Sequence, residues 1–422
     1  MMEKQFDSKY EVLILTTELS VQKTPNAICI TNVISKLKEL HACDITYVVP
    51  MRNNEPLFEK IDGDNVYRYK RWWIEDVIDV AQKSNHVVVK SLAINTMRFL
   101  WRLRLLFGYK NYPQYSIGKE KRANDIIKRL IAQNKYRMFL CSYNPIESVS
   151  CAEIVKKASP NTKVFVYMLD SISNRGSGKY VSPKNGMRKG MKWEERAFSC
   201  ADGVLIPASH FPHYLGESFK DFRDKFYKID YPLLEMNDSG DVEKNDNETV
   251  YCIYAGSLDT NLRNPELMLK VISSIGNLVL DLYTDGKCET VIRHYSEISH
   301  SIIHSYSYIV RKQLLKKERS ADFLINIGNN ATQMVPSKLF ELIATGKPII
   351  HFKNSDYDSC EEYLNRYPNS LIVDNHTAIK KVEDFIKNHR GKIIPREEIE
   401  RNYKENLPEY TAKIIYEVLN ED

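Results

Sequence analysis

Short apolar runs alternate with longer amphipathic stretches along the whole chain. In the first half EVLILTT (11–17), DITYVVP (44–50), RMFLCSY (137–143), KVFVYML (163–169) and GVLIPA (203–208) read as strands, NVYRYK (65–70) is a further candidate, and KFYKIDYP (225–232) closes the half. Ile30, Val33, Ile34, Leu37 and Leu40 recur at helical spacing and predict a helix over 26–41. Similar patterns cover 74–84, 91–107, 117–134, 145–158, 187–201 and 209–220. The second half restarts the alternation, with strands expected at 249–256, 278–286, 307–310, 322–328, 347–352 and 370–374, and helices at 264–275, 311–320, 336–345 and 376–388. Strands that alternate with helices need crossover connections, which predicts parallel sheets covered on both faces.

Between the halves MNDSGDVEKNDNE (236–248) is polar and has almost nothing to bury, so it reads as a linker or exposed loop. The expected organisation is an N-terminal α/β domain over 1–235, the linker 236–248, a C-terminal α/β domain over 249–395 and a terminal stretch 396–422. That last stretch holds a helical pattern, LPEYTAKIIYEVLN, which is a candidate to pack back on the N-terminal domain. A length of 422 residues already exceeds one ordinary core.

Composition narrows the class. Hydrophobic residues at 43% and charged residues at 27% are globular values, and 16 Gly with 16 Pro exclude collagen-like or low-complexity chains. Sixty basic against 55 acidic residues leave +5, too little to indicate a nucleic-acid partner but compatible with small anionic substrates or anionic lipid. The eight Cys form no C-x-x-C pair and are expected to be reduced, buried thiols of a cytosolic protein. The apolar run after the polar N-terminus is too short for a signal peptide, and no segment reaches the roughly 18 apolar residues of a membrane span. The expected location is the cytoplasm, at most on a membrane surface.

The most informative segment is DFLINIGNNATQMVPSKLFELIATGKPIIHF (322–352). A strand ends at Gly328, a polar loop follows, Pro336 opens a helix, and Gly346 with Pro348 ends it. Backbone N–H groups near Val335, Ser337 and Lys338 then sit at the carboxyl edge of a sheet, where doubly wound folds bind ligands and a helix dipole favours a diphosphate. Glu341 lies one turn past Ser337, where its carboxylate either accepts a ribose diol or pairs with Lys338 on a solvated face.

MVPSKLFELIATGKPII resembles the donor-binding segment of GT-B glycosyltransferases, particularly glycosyltransferase family 4. The resemblance implies an α/β chain of the GT-B type, two Rossmann-like domains with parallel sheets facing an interdomain cleft. It makes Glu341 the ribose ligand and Ser337, Lys338 and Leu339 the phosphate-side residues, with Val335 and Pro336 also at the donor. Family members often carry another Glu eight residues before Glu341, touching the donor sugar; here that position is Gln333. YAGSLDTNLRNPELML (254–269) resembles the opening loop of the donor domain, with Gly256 and Ser257 near the phosphates and Arg263 stabilising the leaving group. LYTDG (282–286) matches the next strand end, where Thr284 and Asp285 line the cleft.

LTTELSVQKTPNAICI (15–30) resembles the acceptor-facing first loop, with Thr24, Pro25 and Asn26 in place of the usual glycine pair. Asp170 stands at the carboxyl end of a strand, as an acceptor-orienting group or base, or as a plain turn residue. MRFLWRLRLLFGYK (97–110) mixes Arg98, Arg102 and Arg104 with large apolar side chains, the pattern either of a helix lying in a membrane interface or of a core helix with snorkelling arginines.

The resemblance implies transfer of a sugar from a nucleotide-diphosphate sugar to a saccharide or lipid-linked saccharide, with retention, in bacterial surface-polysaccharide synthesis. Arg263, Lys338 and Asp170 would be the catalytic groups, with no cofactor, no metal, no nucleic acid and a peripheral contact with the inner membrane. A nucleotide-sugar epimerase of the same fold and a non-catalytic nucleotide-sugar-binding subunit are the competing readings.

Overall fold

A computed structural model of the chain describes residues 10–19, 25–41, 43–52, 55–82, 87–108, 113, 116–142, 145–174, 182–236, 248–330 and 335–421. The chain divides into two units, one formed by the residues up to Pro232 together with those from Pro408 onward, the other by Leu233–Leu407. Most of the 236–248 stretch and Gln333 lie outside the described residues.

The first unit contains β1 (Tyr10–Leu15), α1 (Pro25–Leu40), β2 (Cys43–Met51), β3 (Phe58–Ile61), β4 (Asp64–Lys70), α2 (Trp73–Gln82), α3 (Val87–Gly108), α4 (Ile117–Gln133), β5 (Met138–Ser142), α5 (Ser148–Ala158), β6 (Lys163–Tyr167), α6 (Pro183–Cys200), β7 (Gly203–Pro207), α7 (Phe211–Tyr214) and β8 (Phe226–Ile229). Its strands make one sheet in the order β3-β4-β2-β1-β5-β6-β7-β8. β1 sits between β2 and β5, parallel to both, with Val12 facing Ile45 and Met138. Runs such as VLIL and MFLCS are buried throughout, as strands covered on both faces must be.

β3 is the departure from an all-parallel sheet. It pairs antiparallel to β4 through a two-residue turn in which Asp62 and Gly63 have φ of 50° and 87°. An Asp-Gly pair supplies that left-handed turn at low cost, so the hairpin had a readable signal in Asp62-Gly63 even though FEKI looks too polar for a strand. The helix expected over 209–220 is broken: α7 is one turn, Gly216 follows, and Glu217–Lys225 is a 3-10 helix.

The second unit contains β9 (Val250–Ala255), α8 (Glu266–Ser273), β10 (Leu278–Tyr283), α9 (Glu289–Ile298), β11 (Ile302–Tyr306), α10 (Arg311–Ser320), β12 (Phe323–Ile327), α11 (Lys338–Ala344), β13 (Ile349–Phe352), α12 (Glu361–Leu364), β14 (Ser370–Val373), α13 (Ile379–His389) and α14 (Arg396–Asn402). Its six strands are parallel, in the order β11-β10-β9-β12-β13-β14. The strand expected at 307–310 is a loop, and the edge strand is β11, directly before it. β11 buries only Ile303, so its apolar signal is weaker than that of the YIV run beyond it. α9 buries only Ile292, too little to register as a helical period.

The last helix, α15 (Pro408–Leu419), returns to the first unit and packs on α1. It buries Ala412, Ile415, Val418 and Leu419, stacks Tyr416 on His41 and pairs Glu409 with Lys36 at 2.9 Å. All eight cysteines are buried and none forms a disulfide.

Candidate functional site

In the second unit β9 and β12 are neighbours, with β10 and β11 on one side and β13 and β14 on the other. Connections from β9 and β12 leave in opposite directions at such a switch point, which is where open α/β sheets form a crevice at their carboxyl edge. The segments 256–263 and 328–341 begin at those two strand ends.

Gly256 donates its N–H to the Tyr283 carbonyl at 3.0 Å. A Cβ here would stand 2.9 Å from the hydroxyl of the buried Tyr254 and 3.5 Å from Arg263 Nη1, so a side chain would have to displace the tip of that ring. Ser257 donates its hydroxyl to Asp285 at 2.6 Å and Thr284, itself buried, donates to the same carboxylate at 3.3 Å. Burial pushes the Asp285 carboxyl up, but hydrogen bonds from Lys287 and Ser257 outweigh it and hold the group well below the usual carboxylate range. Ser257 and Thr284 therefore brace Asp285, and their hydroxyl protons are already engaged there.

Arg263 closes a tight turn, exchanging backbone hydrogen bonds with Asp259 at 2.7 and 3.1 Å. Its Nε and Nη2 both donate to Asn329 Oδ1, at 3.1 and 2.9 Å, and Nη1 approaches the Ser257 carbonyl at 3.5 Å. The next residue, Asn330, ties the two loops together through the carbonyls of Leu262 (2.8 Å) and Asn261 (2.6 Å). Among the described residues Arg263 has no carboxylate partner.

The helix expected from Pro336 begins at Lys338, and Pro336 and Ser337 form the turn before it. Its end is as expected: Gly346 has φ +73°, and a side chain there would run into the Ile394 carbonyl. Leu339 does not fit a phosphate-side role, because its side chain is in the core and its N–H is taken by the Pro336 carbonyl at 3.0 Å. Val335 and Ser337 are half-buried, Pro336 is buried, and the Ser337 hydroxyl caps nothing.

Lys338 stands between two carboxylates, Glu318 and Glu341, each at 2.8 Å. Burial lowers its pKa, but the two anions outweigh this and raise it. Glu341 also accepts from Arg311 Nη1 at 2.9 Å. The Lys338–Glu341 pair weighed in the sequence is thus present, with Arg311 and the buried Glu318 completing a group whose charges sum to zero.

Beneath β12 lies a buried network. Asn326 donates to His351 Nδ1 at 2.8 Å, which leaves the ring proton on Nε2 to bond Asp358 at 3.2 Å. The Cys360 N–H donates to the other Asp358 oxygen at 2.9 Å. His351, Asp358 and Cys360 are the one set among the described residues whose ligand atoms lie within reach of a single ion. The metal-free expectation takes the chain to lack an Asp-x-Asp triplet; the chain has two, at 62–64 and 356–358. Asp62 and Asp64 belong to the β3–β4 turn, with Asp64 paired to Lys38 at 2.7 Å, and Asp358 of the triplet 356–358 belongs to this network.

In the first unit, Asp170 lies just past the carboxyl end of β6 and accepts from Asn26 Nδ2, on α1, at 3.3 Å. Pro25 is exposed at the start of α1, and Thr24 lies outside the described residues. The turn after Asp170 is gripped by α6. The fully buried Glu194 accepts from the N–H groups of Ile172 (2.7 Å) and Ser173 (3.0 Å), from the hydroxyls of Ser171 (3.1 Å) and Tyr214 (2.8 Å), and from the Ser173 hydroxyl. One helical turn earlier, Gly190 lets α6 close on this turn, since a Cβ would come within 2.8 Å of the Ser173 Cα.

His210, at the end of β7, completes this edge. Burial lowers its pKa while the nearby charge of Asp170 raises it, and its Nδ1 is buried without a hydrogen-bond partner among the described residues. Spacing did not single out His210, Glu194, Asn329 or Arg311. His210 and Asn329 had a usable signal, a polar side chain just past a strand's carboxyl end.

No protein-family model matches the chain, and no curated protein matches it in sequence. Solved structures do resemble it. The lipopolysaccharide outer core galactosyltransferase WaaB is 12% identical, with 97% of this chain and 99% of that one covered at a TM-score of 0.55. An E. coli trehalose-6-phosphate structure bound with UDP-2-fluoro glucose is 10% identical over 98% and 99%, at 0.54. The UDP-GlcNAc 2-epimerase from Methanocaldococcus jannaschii is 10% identical over 97% and 100%, also at 0.54. These likenesses span whole chains and rest on the same two parallel-sheet α/β units: the chain has the GT-B fold.

Proposed function

We propose that the chain is a glycosyltransferase of the family 4 type, moving a sugar from a nucleotide-diphosphate sugar to an acceptor hydroxyl with retention of configuration. The observation that carries the proposal is Arg263, a cation without a carboxylate partner among the described residues, at the β9–β12 carboxyl edge beside Gly256, where a Cβ would crowd the Tyr254 hydroxyl. The bond from the anomeric carbon to the diphosphate breaks, the acceptor oxygen bonds to that carbon, and the acceptor's proton leaves with the departing phosphate or a base. Negative charge grows on the diphosphate as its bond breaks, and a guanidinium already in place stabilises it without reorganising. This electrostatic role makes a divalent metal unnecessary for the step.

Glu341 is the ribose ligand in this scheme. Arg311 and Lys338 hold it in place, and each carboxylate oxygen keeps a lone pair for a ribose hydroxyl. Asp170, Pro25 and Asn26 are the acceptor-side candidates of the first unit, with Asp170 fixed from below by the Glu194 grip.

A thermal-shift screen over UDP and GDP sugars tests the donor. A true donor at about 100 times its Kd adds roughly 2.7 kcal/mol of stability. Glu341→Ala is expected to weaken that donor about tenfold or more, the usual cost of losing hydrogen bonds to a charged group. Unchanged affinity would remove Glu341 from the site. Nucleotide release that requires an acceptor and survives a chelator marks a transferase. Release without acceptor marks an epimerase, and binding without release marks a non-catalytic subunit.

We further propose a lipid-linked saccharide acceptor, reached at the cytoplasmic face of the membrane during surface-polysaccharide synthesis. No helix among the described residues is long and apolar enough to cross a membrane. α3 has no acidic residue and exposes Val88, Leu92 and Phe99 together with Arg98 and Arg102, which suits an anionic interface; the side chains of Trp101 and of 104–110 lie outside the described residues. The protein is expected to sediment with phosphatidylglycerol vesicles and not with phosphatidylcholine ones, and Leu92→Glu with Phe99→Glu should abolish this. Equal sedimentation of the double variant counts against the contact.

A further inference from the structure

At the carboxyl edge of the second sheet, lysines and arginines are matched to carboxylates. Lys338 has Glu318 and Glu341, Arg311 has Glu341, Lys287 has Asp285, and Lys353 has Glu361. Arg263 differs. The guanidinium edge that would meet a carboxylate's two oxygens fork to fork instead converges, through Nε–H and Nη2–H, on one oxygen of the Asn329 amide. The amide fixes the guanidinium and adds no charge.

The anchor is itself held. Asn329 is buried, and its neighbour Gly328 donates to the Phe352 carbonyl at 2.9 Å and accepts from Asn354 Nδ2 at 2.8 Å. A Cβ at Gly328 would lie 1.7 Å from Asp358 Oδ2, so the His351–Asp358 network packs directly against the strand end that carries Asn329. Asn330 then locks that end to the Arg263 turn.

We propose that Asn329 is the positioning residue of the donor site: its neutral amide oxygen orients Arg263 while leaving the whole guanidinium charge available to a nucleoside diphosphate. This rests on the donor reading given above. Only an amide meets both needs at this position. A carboxylate of the same shape would hold Arg263 more firmly but cancel its charge, and a small side chain would preserve the charge but lose the orientation.

The two needs separate in Asn329→Asp. The variant is expected to pair its carboxylate with Arg263 and to weaken UDP or GDP binding in calorimetry by about tenfold or more, whatever the change in the thermal midpoint of the free protein. Binding of free uridine or guanosine, which carry no phosphate, should not change. A merely structural Asn329 would lower the midpoint and leave the affinity for the diphosphate unchanged. Asn329→Ser, shorter and neutral, should weaken the diphosphate about threefold to tenfold through lost orientation, and carries the test if the Asp variant does not fold. If the wild-type protein binds neither UDP nor GDP, the donor reading fails and this proposal with it. If it binds one and Asn329→Asp binds it equally, or Asn329→Ser does so where the Asp variant does not fold, the proposal alone is overturned.

Discussion

Arg263→Ala is expected to lower kcat/KM for the nucleotide-sugar donor by about 10²- to 10³-fold, the usual cost of removing one preorganised group that faces developing negative charge. Most of the loss should appear in kcat, because the charge on the diphosphate is greatest as the glycosidic bond breaks. The free protein should keep its stability, since the side chain is half-buried and bonded to neutral oxygens. Arg263→Lys should recover part of the activity, keeping the charge but not the two-point grip on Asn329. Steady-state kinetics with the donor found in the screen decides the matter, and an alanine variant within threefold of wild type would remove Arg263 from the chemistry.

Glu194→Ala is expected to destabilise the first unit by about 3–5 kcal/mol, because it leaves buried donors on Ile172, Ser173, Ser171 and Tyr214 facing a void. Urea denaturation should show the loss, and hydrogen exchange should locate it at the Ile172 and Ser173 amides. Activity should fall as well, since the same turn carries Asp170. Glu194→Gln should lie between, as it keeps the shape but turns an NH2 group toward groups that are themselves donors. An alanine variant as stable as wild type would mean that the grip is not what sets this turn.

What could be read from the sequence follows from how locally each feature is encoded. β1, β5 and β12 are covered on both faces and so appear as largely apolar runs, VLIL, MFLC and FLINI. β3, β11 and α9 lie near edges or bury little, and their residues do not declare a period. Gly256, Arg263, Lys338 and Glu341 came from a resemblance to contiguous motifs. Their partners did not, because Asn329 meets Arg263 from 66 residues away and Arg311 meets Glu341 from 30. Such partners are chosen by the topology of the sheet, which brings β9 beside β12, and no spacing rule reaches that far. The same distance hid the pairing of Lys338 with Glu318.

α15 closes the first unit only after the whole second unit has intervened in the chain. During synthesis the face of α1 on which α15 packs must wait, uncovered, for some 370 residues to be translated, at roughly 5–20 residues per second. Leu233–Leu407, by contrast, is complete as soon as it emerges from the ribosome. The later unit in sequence can therefore finish folding first, and a chain ended after Leu407 should expose α1 to proteases and chaperones while the second unit resists them.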